Sequence, residues 1–155
     1  MRIFSEIKYC YQRITKGYSD RDLWNMDYWF INTIPNMLKD FKKQHNEIFV
    51  PCEEIEQKID RICYCLNESQ EDTCSKTNEY EEEYTNLLFA GKKSISDMFV
   101  PCEDNDKLLR FDFNEVPEEL VQNYRNRTIQ INMYRNNMKN EAFNLFKDIF
   151  WYLWW

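Results

Sequence analysis

The sequence predicts a mainly α-helical fold, a helical bundle built on two long helices at about residues 20–43 and 118–155. Two observations lead there. Only 2 glycines and 4 prolines occur in 155 residues, whereas hairpin-rich sheets need turn residues with positive φ, mostly glycine. Apolar side chains also recur at three- and four-residue spacing over long stretches, the period of one helix face. No apolar run approaches the ~20 residues that span a bilayer, so no membrane partner is expected. The length suits a single domain, 1–155, with residues 46–117 as an acidic insertion or subdomain within it.

The first helix is predicted over Arg2–Lys16, with Ile3, Ile7, Cys10 and Ile14 as its stripe and Gly17 as its stop. Ser19-Asp20-Arg21-Asp22 resembles a capping box with an acidic first turn. The second helix is therefore predicted over 20–43, on a stripe of Leu23, Met26, Phe30, Ile34, Met37, Leu38 and Phe41. Pro35 inside it predicts a kink near Ile31–Ile34. Ile55, Ile59, Ile62, Cys63 and Leu66 predict a third helix over 53–66. The first and third helices are expected to cover the seam between the two long ones. The polar stretch 67–78 reads as a loop, and 79–89 as a short acidic helix stopped by Gly91. Residues 92–117 read as irregular, with one short strand on the alternation at 107–113. Pro117 suits the first position of a last helix running to near Trp155. The segment Phe49-Val-Pro-Cys-Glu53 recurs as Phe99-Val-Pro-Cys-Glu103, read as two extended X-Pro entries with the Phe in the core.

The net charge of −7 hides a segregation. Residues 1–45 carry +3, residues 46–119 carry −13 and residues 120–155 carry +3. Duplex nucleic acid is repelled by such a middle and only weakly held by the ends. Glu6, Lys8, Gln12 and Arg13 interrupt any signal-peptide core, so the expected setting is a reducing cytoplasm with free thiols at Cys10, Cys52, Cys63, Cys65, Cys74 and Cys102. Cys52, Cys63, Cys65 and Cys74 have the count for a zinc site but not the usual two- to four-residue pair spacing, so no metal is expected. His45 is the single histidine, with no nucleophile placed beside it by sequence. Phosphate-binding, dinucleotide, hydrolase-elbow and zincin motifs are all absent, so neither an enzyme nor a cofactor is expected.

Three groups of residues stand out. Asp27 falls on the predicted apolar stripe, where a carboxylate must be paired. A buried polar clamp with Arg135 or Arg127 is the expectation. Trp24 and Tyr28, with Arg13, Lys16 and Arg21 just before or beside them, interleave aromatic and basic groups that can stack a ring and meet phosphates. The C-terminal segment carries Phe146, Phe150, Trp151 and Trp154 on all sides of its helix, expected either in a subunit interface or in the core.

The stretch Gly17-Tyr-Ser-Asp-Arg-Asp-Leu-Trp-Asn-Met-Asp27, with Ile34 and Leu38 beyond, resembles a group of small, uncharacterised bacteriophage proteins. Asp22, Trp24 and Asp27 match their helix start, with Met26 for the usual Leu, and their aromatic terminal helix has a counterpart in Leu145–Trp154. The resemblance implies a phage origin and a role in the host-cell cytoplasm, and transfers no activity. The expected function is host-defence countering by binding, as a homo-oligomeric sponge for a small nucleotide-type ligand. The alternatives are an acidic inhibitor that occludes a host nucleic-acid-binding or defence protein, and a small virion or assembly component.

Overall fold

In the computed structural model, residues 2–48, 52–92, 94–102 and 105–153 are described. Five α-helices and one two-stranded sheet form in the order α1 (Arg2–Lys16), α2 (Met26–Ile48), α3 (Glu53–Glu68), α4 (Glu81–Leu88), β1 (Phe99–Cys102), β2 (Asn105–Phe111) and α5 (Glu118–Ile149). The mainly helical class is as the sequence predicts. The chain divides into two compact units, Met1–Cys74 with Arg135–Trp155, and Ser75–Tyr134.

In the first unit, α1 ends where its sequence says it must. Gly17 takes φ 78°, and its N–H donates to the Arg13 carbonyl. The second helix starts six residues later than predicted. Residues 20–25 form turns, and the first helical bond runs from the Trp29 N–H to the Asn25 carbonyl. Ser19 and Asp22 do bond as a capping box would, but they close a turn rather than open the helix. Pro35 stays inside α2, and the Cys63 thiol donates to its carbonyl at 3.6 Å.

Leu38 of α2, Ile59, Ile62, Cys63, Cys65 and Leu66 of α3, and Ala142 and Ile149 of α5 make the buried core. Full burial of an aliphatic side chain contributes about 1.5–3 kcal/mol, so Ile59, Ile62, Leu66 and Ile149 dominate it. Burial pushes the Cys63 and Cys65 thiols up from their ordinary value. Phe30 stacks on Phe143 at 5.5 Å and meets Phe146 edge-on at 6.4 Å, joining the C-terminal part of α5 to α2. Arg61 of α3 grips Glu141 through Nε and Nη2 at 2.7 and 2.9 Å. The Arg61 guanidinium holds the Glu141 carboxyl below its ordinary value.

The expected seam-covering role of α1 is corrected. Phe4, Ile7, Tyr11 and Ile14 are all exposed. Its Lys8, Gln12 and Arg13 side chains bond Asp20 and Asp22 of the following turn.

In the second unit, β1 and β2 pair antiparallel, with Phe99 opposite Phe111 and Val100 opposite Arg110, and an irregularity at Pro101/Cys102. The strand expected at 107–113 exists, shifted to 105–111, and the second copy of the repeated pentapeptide supplies its partner. Phe99 is exposed, not in the core as expected, with its ring 4.6 Å from Phe111. Residues 49–51 of the first copy lie outside the described residues. Tyr84 of α4 stacks on Tyr124 of α5 at 4.3 Å with rings 2° from parallel. The Asn78 amide donates to the Tyr124 carbonyl and to Thr128 Oγ1 at 3.0 and 2.9 Å. Lys92 pairs with Asp112 at 2.6 Å and holds that carboxyl below its ordinary value. The last helix runs 32 residues, its residues from Arg135 on belonging to the first unit, and gives way to a 3₁₀ turn at Phe150–Tyr152.

Candidate ligand and partner surface

The turn between α1 and α2 is closed by a network of side-chain hydrogen bonds. Asp22 is its centre, with a side chain only 8% exposed. Its carboxylate accepts from Arg13 Nη2 at 2.6 Å and Nε at 3.1 Å, and from the Ser19 N–H and hydroxyl at 2.8 and 2.9 Å. The Arg13 guanidinium, with smaller help from Ser19, holds the Asp22 carboxyl far below the usual carboxylate range. Asp20 closes the other side. It accepts from Gln12 Nε2 at 2.7 Å and pairs with Lys8 at 2.9 Å, and its own N–H returns to Gln12 Oε1 at 3.0 Å. Gln12 and Lys8 together hold the Asp20 carboxyl below its ordinary value.

This turn presents Trp24, 90% exposed, and Tyr28 follows one turn later on α2, also exposed. Lys16 and Arg21 are exposed nearby in sequence, and Arg21 Nη1 reaches Glu6 at 3.4 Å. Of the five residues expected to bind a ligand, Arg13 is therefore occupied structurally, while Trp24, Tyr28, Lys16 and Arg21 face solvent.

The expected buried clamp is corrected. Asp27 is exposed in the first turn of α2, where a carboxylate suits the helix dipole and needs no buried partner. Arg135 Nε donates to the Ser69 carbonyl at 3.1 Å and Nη1 lies 3.8 Å from Glu71. Arg127 Nε donates to Glu79 at 2.8 Å. The buried carboxylate of this region is Asp22, five residues before the one expected.

The C-terminal aromatics divide. Phe146 is half-buried against Phe30 and Phe150, whereas Phe150 and Trp151 are exposed. Trp154 lies outside the described residues.

Sequence reasoning missed a cavity of about 290 Å³ where the end of α2 meets the start of α3, lined by Lys42, His45, Cys52, Glu56, Asp148 and Tyr152 among others. Its Lys42 spans Asp60 at 2.7 Å and Glu56 at 3.5 Å, and the Asn46 amide donates to Glu56 at 3.0 Å. His45 lies against Phe41 at 5.4 Å. The lining charges are thus largely matched by one another. Among the described residues no three His, Cys, Asp or Glu side chains gather as a metal set, and no helix is long and apolar enough to cross a membrane. No protein-family model matches the chain, and no curated protein or solved structure is significantly similar to it.

Proposed function

We propose that this chain works by binding, as a bacteriophage accessory protein that sequesters a small nucleotide-type ligand of host defence in the host-cell cytoplasm. Trp24 carries the reading. A large indole almost fully in water, on a turn fixed by the Asp22 hydrogen bonds, is preorganised for contact and loses little entropy on stacking a base. Tyr28 offers a second ring, and Lys16 and Arg21 offer charge for phosphates. Arg13 supports the surface from behind by fixing Asp22.

The test is calorimetry of the purified chain against a panel of cyclic and linear nucleotides. Submillimolar binding that Trp24→Ala weakens at least tenfold, with the unfolding temperature unchanged, supports the reading. Absence of any binding tighter than millimolar refutes it.

A second reading rests on α4. Glu81, Glu82 and Glu83 are consecutive and all exposed, and an acidic face of this kind can occlude the basic surface of a nucleic-acid-binding protein. Capture of such a partner should then fall steeply with salt and vanish on Glu81–Glu83 charge reversal, while nucleotide binding is untouched.

A further inference from the structure

Pro35 interrupts the hydrogen-bond ladder of α2. It has no N–H, so the Ile31 carbonyl loses its helical donor. The Pro35 carbonyl in turn accepts from the Cys63 thiol of α3 at 3.6 Å. Ile31, Pro35 and Cys63 are the less exposed part of a groove between α2 and α3, and Asn32, Asn36, Tyr64 and Asn67 are its exposed walls. Both helices belong to the first unit. The groove measures about 410 Å³, within the range of about 300–1,000 Å³ for small-ligand pockets. Its amides are fixed in direction. Asn32 Nδ2 donates to the Tyr28 carbonyl at 2.8 Å, and Asn36 Nδ2 to the Asn32 carbonyl at 2.9 Å. Across the groove, Asn67 Nδ2 donates to the Thr73 carbonyl at 3.4 Å. Only the nitrogen end of an amide can donate to a carbonyl, so each of the three leaves its Oδ1 and one N–H for another partner.

We propose that this groove is a binding site for the adenine base of a nucleoside. Adenine carries an amine donor at N6 beside an acceptor at N7, and an asparagine amide matches that pair with its oxygen and its N–H. Asn32 and Asn36 stand one helical turn apart on one wall, so two such amides are offered together. Guanine and hypoxanthine place an acceptor oxygen where adenine has its amine, and that oxygen opposes the amide oxygen. The Ile31 carbonyl adds a further acceptor on the same helix. Tyr64 supplies a ring for stacking; it is 47% exposed, with Arg61 over one face at 5.1 Å and the other face left. Charge plays little part. The two charged lining residues, Lys39 and Asp60, sum to zero, and Asp60 is already held by Lys42 at 2.7 Å.

The backbone bonds that hold Asn32, Asn36 and Asn67 are made within the chain, so the amides are set before a ligand arrives and lose little rotamer freedom on binding. The groove does not rest on the Trp24 reading. Trp24 lies in the turn before α2, eight and twelve residues ahead of Asn32 and Asn36, and it is not among the residues that line the groove. Ligands at the two places therefore answer to different substitutions.

Calorimetric titration of the full chain with adenosine, inosine and maltose tests the proposal, since none of the three carries a charge for Lys16 or Arg21 to meet. Adenosine should bind in the submillimolar range and about tenfold or more tighter than inosine, the discrimination that one amide–base pair supplies. The double substitution Asn32→Ala with Asn36→Ala should weaken adenosine at least tenfold and bring it level with inosine, and Trp24→Ala should change neither. Both asparagines are exposed and alanine is the better helix former, so the variant should fold with its unfolding temperature not lowered. Absence of adenosine binding tighter than millimolar overturns the proposal. So does equal affinity for adenosine and inosine, or binding of maltose in place of adenosine. Adenosine binding that Trp24→Ala abolishes and the double substitution leaves intact also overturns it, and assigns the base to the turn.

Discussion

Asp22→Asn is the most informative single change. The carboxylate receives four hydrogen bonds, two from a guanidinium, in a site where its side chain is 8% exposed. Asparagine keeps the shape and one acceptor oxygen, but its amide donors face the donors of Arg13. A hydrogen bond to a charged group contributes about 1.5–3 kcal/mol net of its competition with water. Arg13 is half-exposed, so solvent screening brings the whole loss to about 2 kcal/mol. The polar contacts to this turn are what hold α1, so the loss is local: α1 and the turn open while the core stays closed. Native-state hydrogen exchange reads this directly at the Gly17, Asp22 and Trp24 amides, which donate to Arg13, Ser19 and Arg21. About 2 kcal/mol corresponds to roughly 30-fold faster exchange there, with amides of α3 unaffected. The pH dependence has a definite sign. The folded-state pKa of Asp22 is depressed, so its stabilisation is fully present above the unfolded value of about 3.9 and is lost as pH falls toward the folded value. Protection at these amides should therefore hold from pH 7 to about pH 4 and decline below it. Equal exchange rates in Asp22→Asn and wild type would refute the reasoning outright.

Three further outcomes are expected. Leu66→Ala, at a side chain 1% exposed, should cost about 2–5 kcal/mol and lower the calorimetric unfolding temperature by at least several degrees; no change would remove α3 from the core. Asn78→Ala leaves the Tyr80 N–H and Thr128 without their amide partner and should cost about 1–2 kcal/mol, seen as faster limited proteolysis within 75–134 and little change elsewhere. Arg61→Lys loses the two-pronged grip on Glu141 but not the charge; both groups are more than one-third exposed, so urea unfolding should shift by no more than about 1 kcal/mol.

The helices were legible because period and stop signals agree. Gly17, the Ile59–Leu66 stripe and Pro117 each put a boundary within a few residues of its place. The error at Asp27 has a traceable cause. Counting the stripe from Leu23 assumes helix from residue 20, but the chain turns until Asn25, so Leu23 lies outside α2 and Asp27 in its first turn. The local pattern Ser19-x-x-Asp22 specifies hydrogen bonds to the Ser19 N–H and hydroxyl. It does not specify whether a helix or a turn follows, and Arg13, nine residues back, decides that. The β1–β2 pairing was hidden for a similar reason. Phe99–Cys102 is short and contains proline, so only the strand opposite identifies it. The α2–α3 cavity brings Lys42 and His45 together with Cys52, Glu56 and Asp148, residues far apart in sequence, and no local signal carries that.

One lock organises the proposed binding surface. Arg13 and Gln12 reach from the polar side of α1 to Asp22 and Asp20, which turns the apolar stripe outward, and Trp24 stands two residues beyond Asp22. Trp24→Ala should weaken nucleotide binding and leave exchange at the Gly17 and Asp22 amides unchanged. Asp22→Asn removes no group that is proposed to touch the ligand, yet it should weaken binding, because it frees the backbone that aims Trp24. If Asp22→Asn raised turn exchange as expected but left nucleotide binding intact, the turn would be a structural fastening and no more. Joint loss, with the α3 amides still protected, is the outcome that a positioning role requires.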